Sequence, residues 1–360
     1  GLYLSPWDRH EASYGDSPRY NDFYCGQLTE LLTGYGPIAE VRFDGANGED
    51  ANGKKVDTPL LTWAAPYGRS ESWLRSPATG ARSARGTSKL PRQVYDWGRI
   101  WALVRSLQPE ALIFSDAGPD IRWIGNERGY AGDPNWAAVD PLTVPYPGAS
   151  GAAVSAMLQH GDARGAVWRP AEADVSLRPG WFYHAAEDAK LKSVDELVAI
   201  YLNSVGRNAK LLLNVPPAPS GLIAHGDVDR LVGFQSRLGS LLGMQGFSVD
   251  FARWTAEQDQ LTGAEPRAAT TLTGMADLGG AQRVVVVDLA EQVEQGQRIA
   301  RYRLDGQGED GRWQELCSGT TIGVRRLQRL AQPAVVRKLQ ITLESDIAAP
   351  LPARCALHFD

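Results

Sequence analysis

Cysteine is scarce: Cys25, Cys317 and Cys355 are the only three in 360 residues. That is too few for a disulfide framework, and an odd number leaves at least one thiol outside any internal pairing. No Cys-x-x-Cys motif occurs, so no metal site is expected. Long apolar runs are also missing, which predicts no transmembrane helix and no membrane insertion. No signal-peptide pattern is present. Charge of one sign is not in excess either: 37 Lys and Arg face 42 Asp and Glu, a net charge of −5. This balance excludes a general electrostatic pull toward nucleic acid or an acidic membrane.

Aromatic residues are plentiful, with 11 Trp and 12 Tyr. Flat rings suit the apolar C–H face of a sugar, although core packing is the ordinary use of Trp. A hydrophobic share of 43% in 360 residues is that of a globular protein with two domains, or one large domain with an appendage. The opening "GLYLSP" reads as a strand already under way, without an initiator Met. The natural protein is therefore expected to begin earlier.

Several segments repeat one plan: a helix, a short apolar strand, then a polar or Gly/Pro-rich loop. "NDFYCGQLTELLTGYG" spaces Phe23, Leu28, Leu31 and Leu32 as a helix, and strand 38–43 follows. "VYDWGRIWALVRSLQP" carries Val94, Trp97, Ile100, Trp101, Val104 and Leu107 on one stripe before strand "ALIFSD". "SVDELVAIYLNSVG" opens with Ser193 and Glu196, a capping box, and leads to strand "KLLLNVPP". This alternation predicts α/β architecture with a parallel sheet, and in a (β/α) barrel the site lies where strands end. Asp44, Asp116 and Asn214 all stand at such ends. About five strands are legible before residue 220, counting "GLYLSP" and one near "AVWRPAEADVSL", whereas a complete barrel has eight. The barrel is therefore expected to be partial at its N-terminus. Beyond residue 245, short alternating segments between Gly, Asp and Asn turns predict an antiparallel β-sandwich. The expected domains are a barrel over 1–244 and a sandwich over 245–360. Residues 56–92, rich in Pro, Ser, Gly and Arg, read as a long loop.

"PIAEVRFDGANGED" runs an apolar strand straight into Asp44 and small residues. A strand-ending turn is the plain explanation. Three other stretches share the feature of an acid beside Trp or Gly near a strand end: "GLYLSPWDRH", "FSDAGPDIRWIGNERG" and "WRPAEADVSLRPGWFYH". Two carboxylates converging at the top of a barrel, with Trp around them, fit glycoside hydrolysis: one attacks the anomeric carbon and the other protonates the leaving oxygen. Asp44, Asp116, Asp120, Glu127, Glu172 and Asp174 are candidates, and spacing does not choose among them.

"FDGANGE", "FSDAGPDIRWIGNE", "RPGWFYH" and "SVGRNAKLLLNVPP" together resemble the α-L-fucosidase family of glycoside hydrolases, family 29, in its α1,3/1,4-fucosidase branch. The likeness covers most of residues 1–240 and extends into "LGGAQRVVVVDLAEQVEQGQRIARYRLD". It implies that Asp44 of "FDGANG" is the nucleophile and Glu127 of "GNE" the acid/base. A retaining exo-mechanism through a covalent fucosyl-enzyme would follow, on fucosylated oligosaccharides and without metal or organic cofactor. It also implies action outside the cytoplasm, extracellular or periplasmic. Glu172 then either contacts substrate or forms a structural salt bridge. Trp7, Trp123 and Trp181 either stack on sugar or pack in the core. His10, His184, Asp116 and Asp120 are read as loop-orienting, and Asn214 as scaffold.

The chain departs from the family pattern in two places. Arg42 stands where the family has Trp, on the same strand face as Asp44. A bound carboxylate or a turned strand would be needed to accommodate that cation. The family's His-Trp and His-His-Asp-Gly motifs are not in the sequence. The alternative reading is a non-catalytic carbohydrate-binding protein on a truncated or decayed glycosidase barrel.

Overall fold

The computed structural model describes residues 1–45, 93–243, 247–251, 253–259 and 269–359. The expected loop at 56–92 lies outside the described residues. The chain divides into two compact units, Gly1–Arg122 with Pro141–Ser155, and Trp123–Asp140 with Ala156–Asp360.

The first unit holds β1 (Leu2–Tyr3), α1 (Ser17–Gly34), β2 (Glu40–Arg42), α2 (Trp97–Leu107), β3 (Leu112–Ser115) and β4 (Ile121–Trp123), whose last residue belongs to the second unit. The strands pair in parallel, with Tyr3 opposite Arg42, Arg42 opposite Phe114 and Ser115 opposite Arg122. α1 buries Tyr20, Tyr24, Leu28 and Leu32, one residue per turn on one face. α2 starts at Trp97 because the Asp96 side chain accepts from Arg99 N, an N-cap that leaves the predicted Val94 outside the helix. It buries Trp97, Ile100, Trp101 and Val104 against Val41 and Ile113 of the strands and Phe43 just beyond β2. Each such large apolar side chain contributes roughly 1.5–3 kcal/mol.

β4, "IRW", adds a strand to those legible in the sequence. Three residues are too few to show alternation. What makes them a strand is tertiary: Ile121 and Arg122 are buried, and the preceding turn is tied back to β3 where Asp120 accepts from Ile113 N at 2.7 Å and pairs with Arg105.

The second unit continues with β5 (Ala138–Val139), α3 (Ala152–His160, whose first turn lies in the first unit), β6 (Val167–Trp168), β7 (Ala171–Ser176), a 3-10 turn (Ala185–Lys190), α4 (Val194–Ser204), β8 (Ala209–Asn214) and α5 (His225–Leu242). The single strand expected near "AVWRPAEADVSL" is two: β6 pairs antiparallel with β5, and β7 runs parallel to β8. Pro170, which has no N–H, stands between them. The capping box of α4 is present, with Ser193 N donating to Glu196 Oε2 at 2.6 Å and Glu196 N to Ser193 Oγ at 3.2 Å.

β7 is buried along its whole length. Its period of two separates small apolar residues from polar ones. Ala171 and Ala173 pack with Ile124, Ala131 and Ala209, and Val175 packs with Leu197 and Ile200. Glu172, Asp174 and Ser176 occupy the other face. The parallel strands make an incomplete barrel-like sheet of six members among the described residues, one more than the five legible in sequence.

The antiparallel part comprises β9 (Phe247–Ser248), β10 (Arg253–Asp259), β11 (Ala269–Glu291), β12 (Arg301–Gln307), β13 (Trp313–Gly319), β14 (Arg326–Ser345) and β15 (Pro352–Phe359). Strand order is β13-β12-β14-β11-β15-β9, with β10 on β11, which matches the predicted β-sandwich. Several segments that read as separate short strands are parts of the 23-residue β11 and the 20-residue β14. Register shifts at Asp277/Gln282 and Val284/Val286 bend that pair. Val284, Val287, Leu289, Leu304, Ile341, Leu343 and Leu357 form its core. All three cysteines are buried and free. Among the described residues, no helix is long and apolar enough to cross a membrane.

Candidate active site

In the first unit, Asp44 stands two residues beyond β2, half-buried. The Tyr3 hydroxyl donates to Asp44 Oδ2 at 2.5 Å. Burial first, then the hydrogen bond to Asp44 and its charge, push the Tyr3 hydroxyl up to about 12. It is therefore a protonated donor throughout the neutral range. The parallel register explains the contact: Tyr3 lies opposite Arg42, one same-face step below Asp44.

Arg42 lies against two aromatic rings. Its guanidinium carbon lies 5.1 Å from the Phe114 ring centroid and 5.9 Å from that of Tyr3, cation–π geometry that accommodates the charge between rings.

Gly45 is required by close approach. A Cβ there would collide with the Asp116 carboxylate, with Asp116 Cγ at 2.9 Å and Gly148 N at 3.2 Å. Asp116 is buried and accepts from Gly148 N at 2.6 Å, Ala117 N at 2.8 Å and Ser115 Oγ at 3.1 Å. These bonds hold the turn after β3 against the residue that follows Asp44. Trp7 is half-buried and packs on the core of this unit, and His10 is exposed.

In the second unit, Glu127 is exposed on a short loop after β4. Gly125 starts the loop at φ +84° and Gly129 ends it at φ +75°; a Cβ at Gly129 would lie 2.8 Å from Ile200 Cγ2 and 3.0 Å from Val175 Cγ1. Between them, Asn126 Oδ1 accepts from Arg128 N at 3.0 Å. Asn126 Nδ2 donates to the Tyr130 carbonyl and to Gln159 Oε1, each at 3.0 Å. The apex that carries Glu127 is thus set by side chain–backbone bonds.

Trp181 donates from Nε1 to Glu127 Oε2 at 3.1 Å. Its loop is anchored by Arg178, which is buried and bidentate to Asp227 at 2.9 and 2.7 Å and lies over the Tyr183 ring at 4.4 Å. The His184 carbonyl accepts from Arg178 at 3.3 Å. Trp123 donates from Nε1 to Asp174 Oδ1 at 2.8 Å. Glu172 is fully buried, with Oε2 3.1 Å from Lys210 Nζ, its register partner on β8. Among the described residues no group of three or more His, Cys, Asp or Glu is arranged to hold a metal ion.

Of the sequence-predicted residues, the structure brings Trp181 onto Glu127, Trp123 onto Asp174 and Glu172 onto Lys210, while Asp44 and Trp7 belong to the other unit. Sequence reasoning missed Tyr3, Ser176 and the part played by Asn214. The polar alternation Glu172-Asp174-Ser176 in an otherwise apolar strand was the available signal for Ser176. Nothing local marked Tyr3.

Comparison with known proteins agrees with these motifs. The α-L-fucosidase family model matches residues 155–239. The chain is 35% identical over 391 residues to alpha-L-fucosidase 1 of Arabidopsis thaliana, covering 100% of this chain and 66% of that protein. It covers 62% of a second relative, from Oryza sativa subsp. japonica, so it spans less than two thirds of both. Among solved structures, SpGH29 superposes with a TM-score of 0.77 at 32% identity, covering 100% of this chain and 73% of that one. A glycoside hydrolase 29 family member from an unknown rumen bacterium gives 0.73 at 30% identity, with coverages of 100% and 57%. The chain belongs to the α-L-fucosidase family, glycoside hydrolase family 29.

Proposed function

We propose that this protein is a retaining exo-α-L-fucosidase that removes α1,3/1,4-linked fucose from branched glycans, with Asp44 as nucleophile and Glu127 as acid/base. Residues 1–244 would be the catalytic part and 245–360 an appended sandwich. The observation that carries the reading is Asp44 at a strand end: one carboxylate oxygen is engaged by the Tyr3 hydroxyl, and Gly45 follows it. With Oδ2 accepting that bond, Oδ1 is the oxygen that attacks.

In the first step Oδ1 forms a bond to the anomeric carbon as the glycosidic C–O bond breaks, and Glu127 gives its proton to the departing sugar oxygen. The product is a fucosyl ester of Asp44. In the second step Glu127, now ionised, takes a proton from water. The water oxygen bonds to the anomeric carbon, the ester C–O pair returns to Asp44, and configuration is retained. The reading requires the two carboxyls to lie about 5–5.5 Å apart in the working enzyme.

The test is hydrolysis of a Lewis-type trisaccharide by full-length protein beside Asp44→Ala, Glu127→Ala and Glu172→Ala, with the first-formed fucose anomer read by NMR. Loss in the first two variants and an α-anomeric product support the reading. Full activity of Asp44→Ala refutes the nucleophile assignment. Activity kept in Glu127→Ala but lost in Glu172→Ala moves the acid role to Glu172. Fucose binding with no turnover by the full-length protein favours a non-catalytic binding protein.

A further inference from the structure

β7 and β8 carry two polar rungs on one face. Glu172 meets Lys210 in the lower rung and Ser176 meets Asn214 in the upper. The upper rung does more than close the sheet, since Leu177 N already donates to the Asn214 carbonyl at 2.9 Å. Asn214 Nδ2 donates to Ser176 Oγ and to the Trp181 carbonyl, each at 3.0 Å, and Ser176 Oγ donates to the Gly180 carbonyl at 2.6 Å. The backbone of Gly180 and Trp181 is thereby pinned to two strand-end side chains.

The other end of Trp181 donates to Glu127 Oε2 at 3.1 Å. An indole nitrogen can only donate, and a protonated carboxyl oxygen is a poorer acceptor than a carbonyl oxygen, so that bond favours the proton of the neutral acid on Oε1. Glu127 is exposed, and burial does not orient its carboxyl. From this geometry we infer that Ser176 and Asn214 are positioning residues for Glu127. They hold Trp181 so that its N–H occupies Oε2, leaving Oε1 to give and later recover the proton. The inference rests on the acid/base reading of Glu127 above.

Two measurements on full-length protein test it. In the first, protein carrying 15N-labelled tryptophan shows the Trp181 indole resonance, assigned by Trp181→Phe. Asn214→Ala and Ser176→Ala each move it upfield, toward its position in Glu127→Ala. A resonance unmoved by both variants overturns the inference whatever the activity. In the second, two substrates are compared: a Lewis-type trisaccharide, whose leaving group needs the proton, and a dinitrophenyl fucoside, whose leaving group does not. Asn214→Ala lowers kcat/KM on the trisaccharide roughly 10- to 100-fold and leaves the dinitrophenyl substrate nearly unaffected. Equal losses on both substrates mean a merely structural role and overturn it. If the wild-type protein hydrolyses neither substrate, the fucosidase reading fails by itself. The indole resonance still decides whether the upper rung holds Trp181 against Glu127.

Discussion

The Tyr3 hydroxyl reaches Asp44 Oδ2 at 2.5 Å across the parallel pair β1–β2. A donor here favours the ionised carboxylate over the ester. Under the proposed nucleophile role of Asp44, it would therefore assist the step that releases Asp44 from fucose more than the step that attaches it. Tyr3→Phe is expected to slow the second step and let the fucosyl-enzyme accumulate. A hydrogen bond to a charged group is worth ~1.5–3 kcal/mol, so kcat falls roughly 10-fold or more, KM falls with it, and a burst of dinitrophenol appears. A raised KM without a burst would contradict this role.

Gly45 has no room for a side chain beside Asp116. Gly45→Ala forces apart Asp116, its Gly148 bond and the residue after Asp44. The expected result is a loss of roughly 100-fold in kcat/KM, with a stability cost of about 1–3 kcal/mol from overpacking. Steady-state kinetics beside a denaturant melt separate the two effects. Unchanged kinetics would show that Asp44 is indifferent to its neighbour.

Arg178 and Asp227 form an ion pair whose two side chains are both fully buried. Asp227→Ala leaves the guanidinium buried without that partner, at a cost of about 3–5 kcal/mol. Asp188 also contacts Arg178 at 2.9 Å but is 56% exposed, so Asp188→Ala costs under ~1 kcal/mol. Urea melts of the two variants should differ accordingly, and equal midpoints would deny Asp227 its anchoring role.

Asp133 is subject to burial, which raises its pKa, yet Arg326 and Thr320 as donors hold it below the ordinary carboxylate range. Because the folded value lies below the unfolded one, the unfolded chain binds the proton first as pH falls. The resulting stability is present above about pH 4 and is lost as pH drops through the folded value. Melts between pH 6 and pH 2 should show a shallower acid limb for Asp133→Asn than for wild type.

Much of the fold was legible because its signals are local. The stripes of α1 and α2, the capping box at Ser193 and Glu196, and apolar strands running into Asp44 and Asp116 all depend on neighbours a few residues away. The change from helix–strand alternation to turn-separated alternation near residue 245 was legible for the same reason. β4 was not, because burial rather than pattern makes its three residues a strand. Nor were the lengths of β11 and β14, which ladder pairing across register shifts extends past apparent turns.

By itself the sequence determined the family, the order of parallel and antiparallel parts, and which acids stand at strand ends. Only tertiary structure decided what each acid touches: Tyr3 on Asp44 from 41 residues away, Trp181 on Glu127 from 54, and Asn214 on Trp181 from 33. The reason is physical. Helix caps and amphipathic stripes are interactions between near neighbours, so composition and spacing record them. A hydrogen bond between side chains on different strands and loops exists only once sheet register has brought their backbones together, and no short stretch of sequence carries that register.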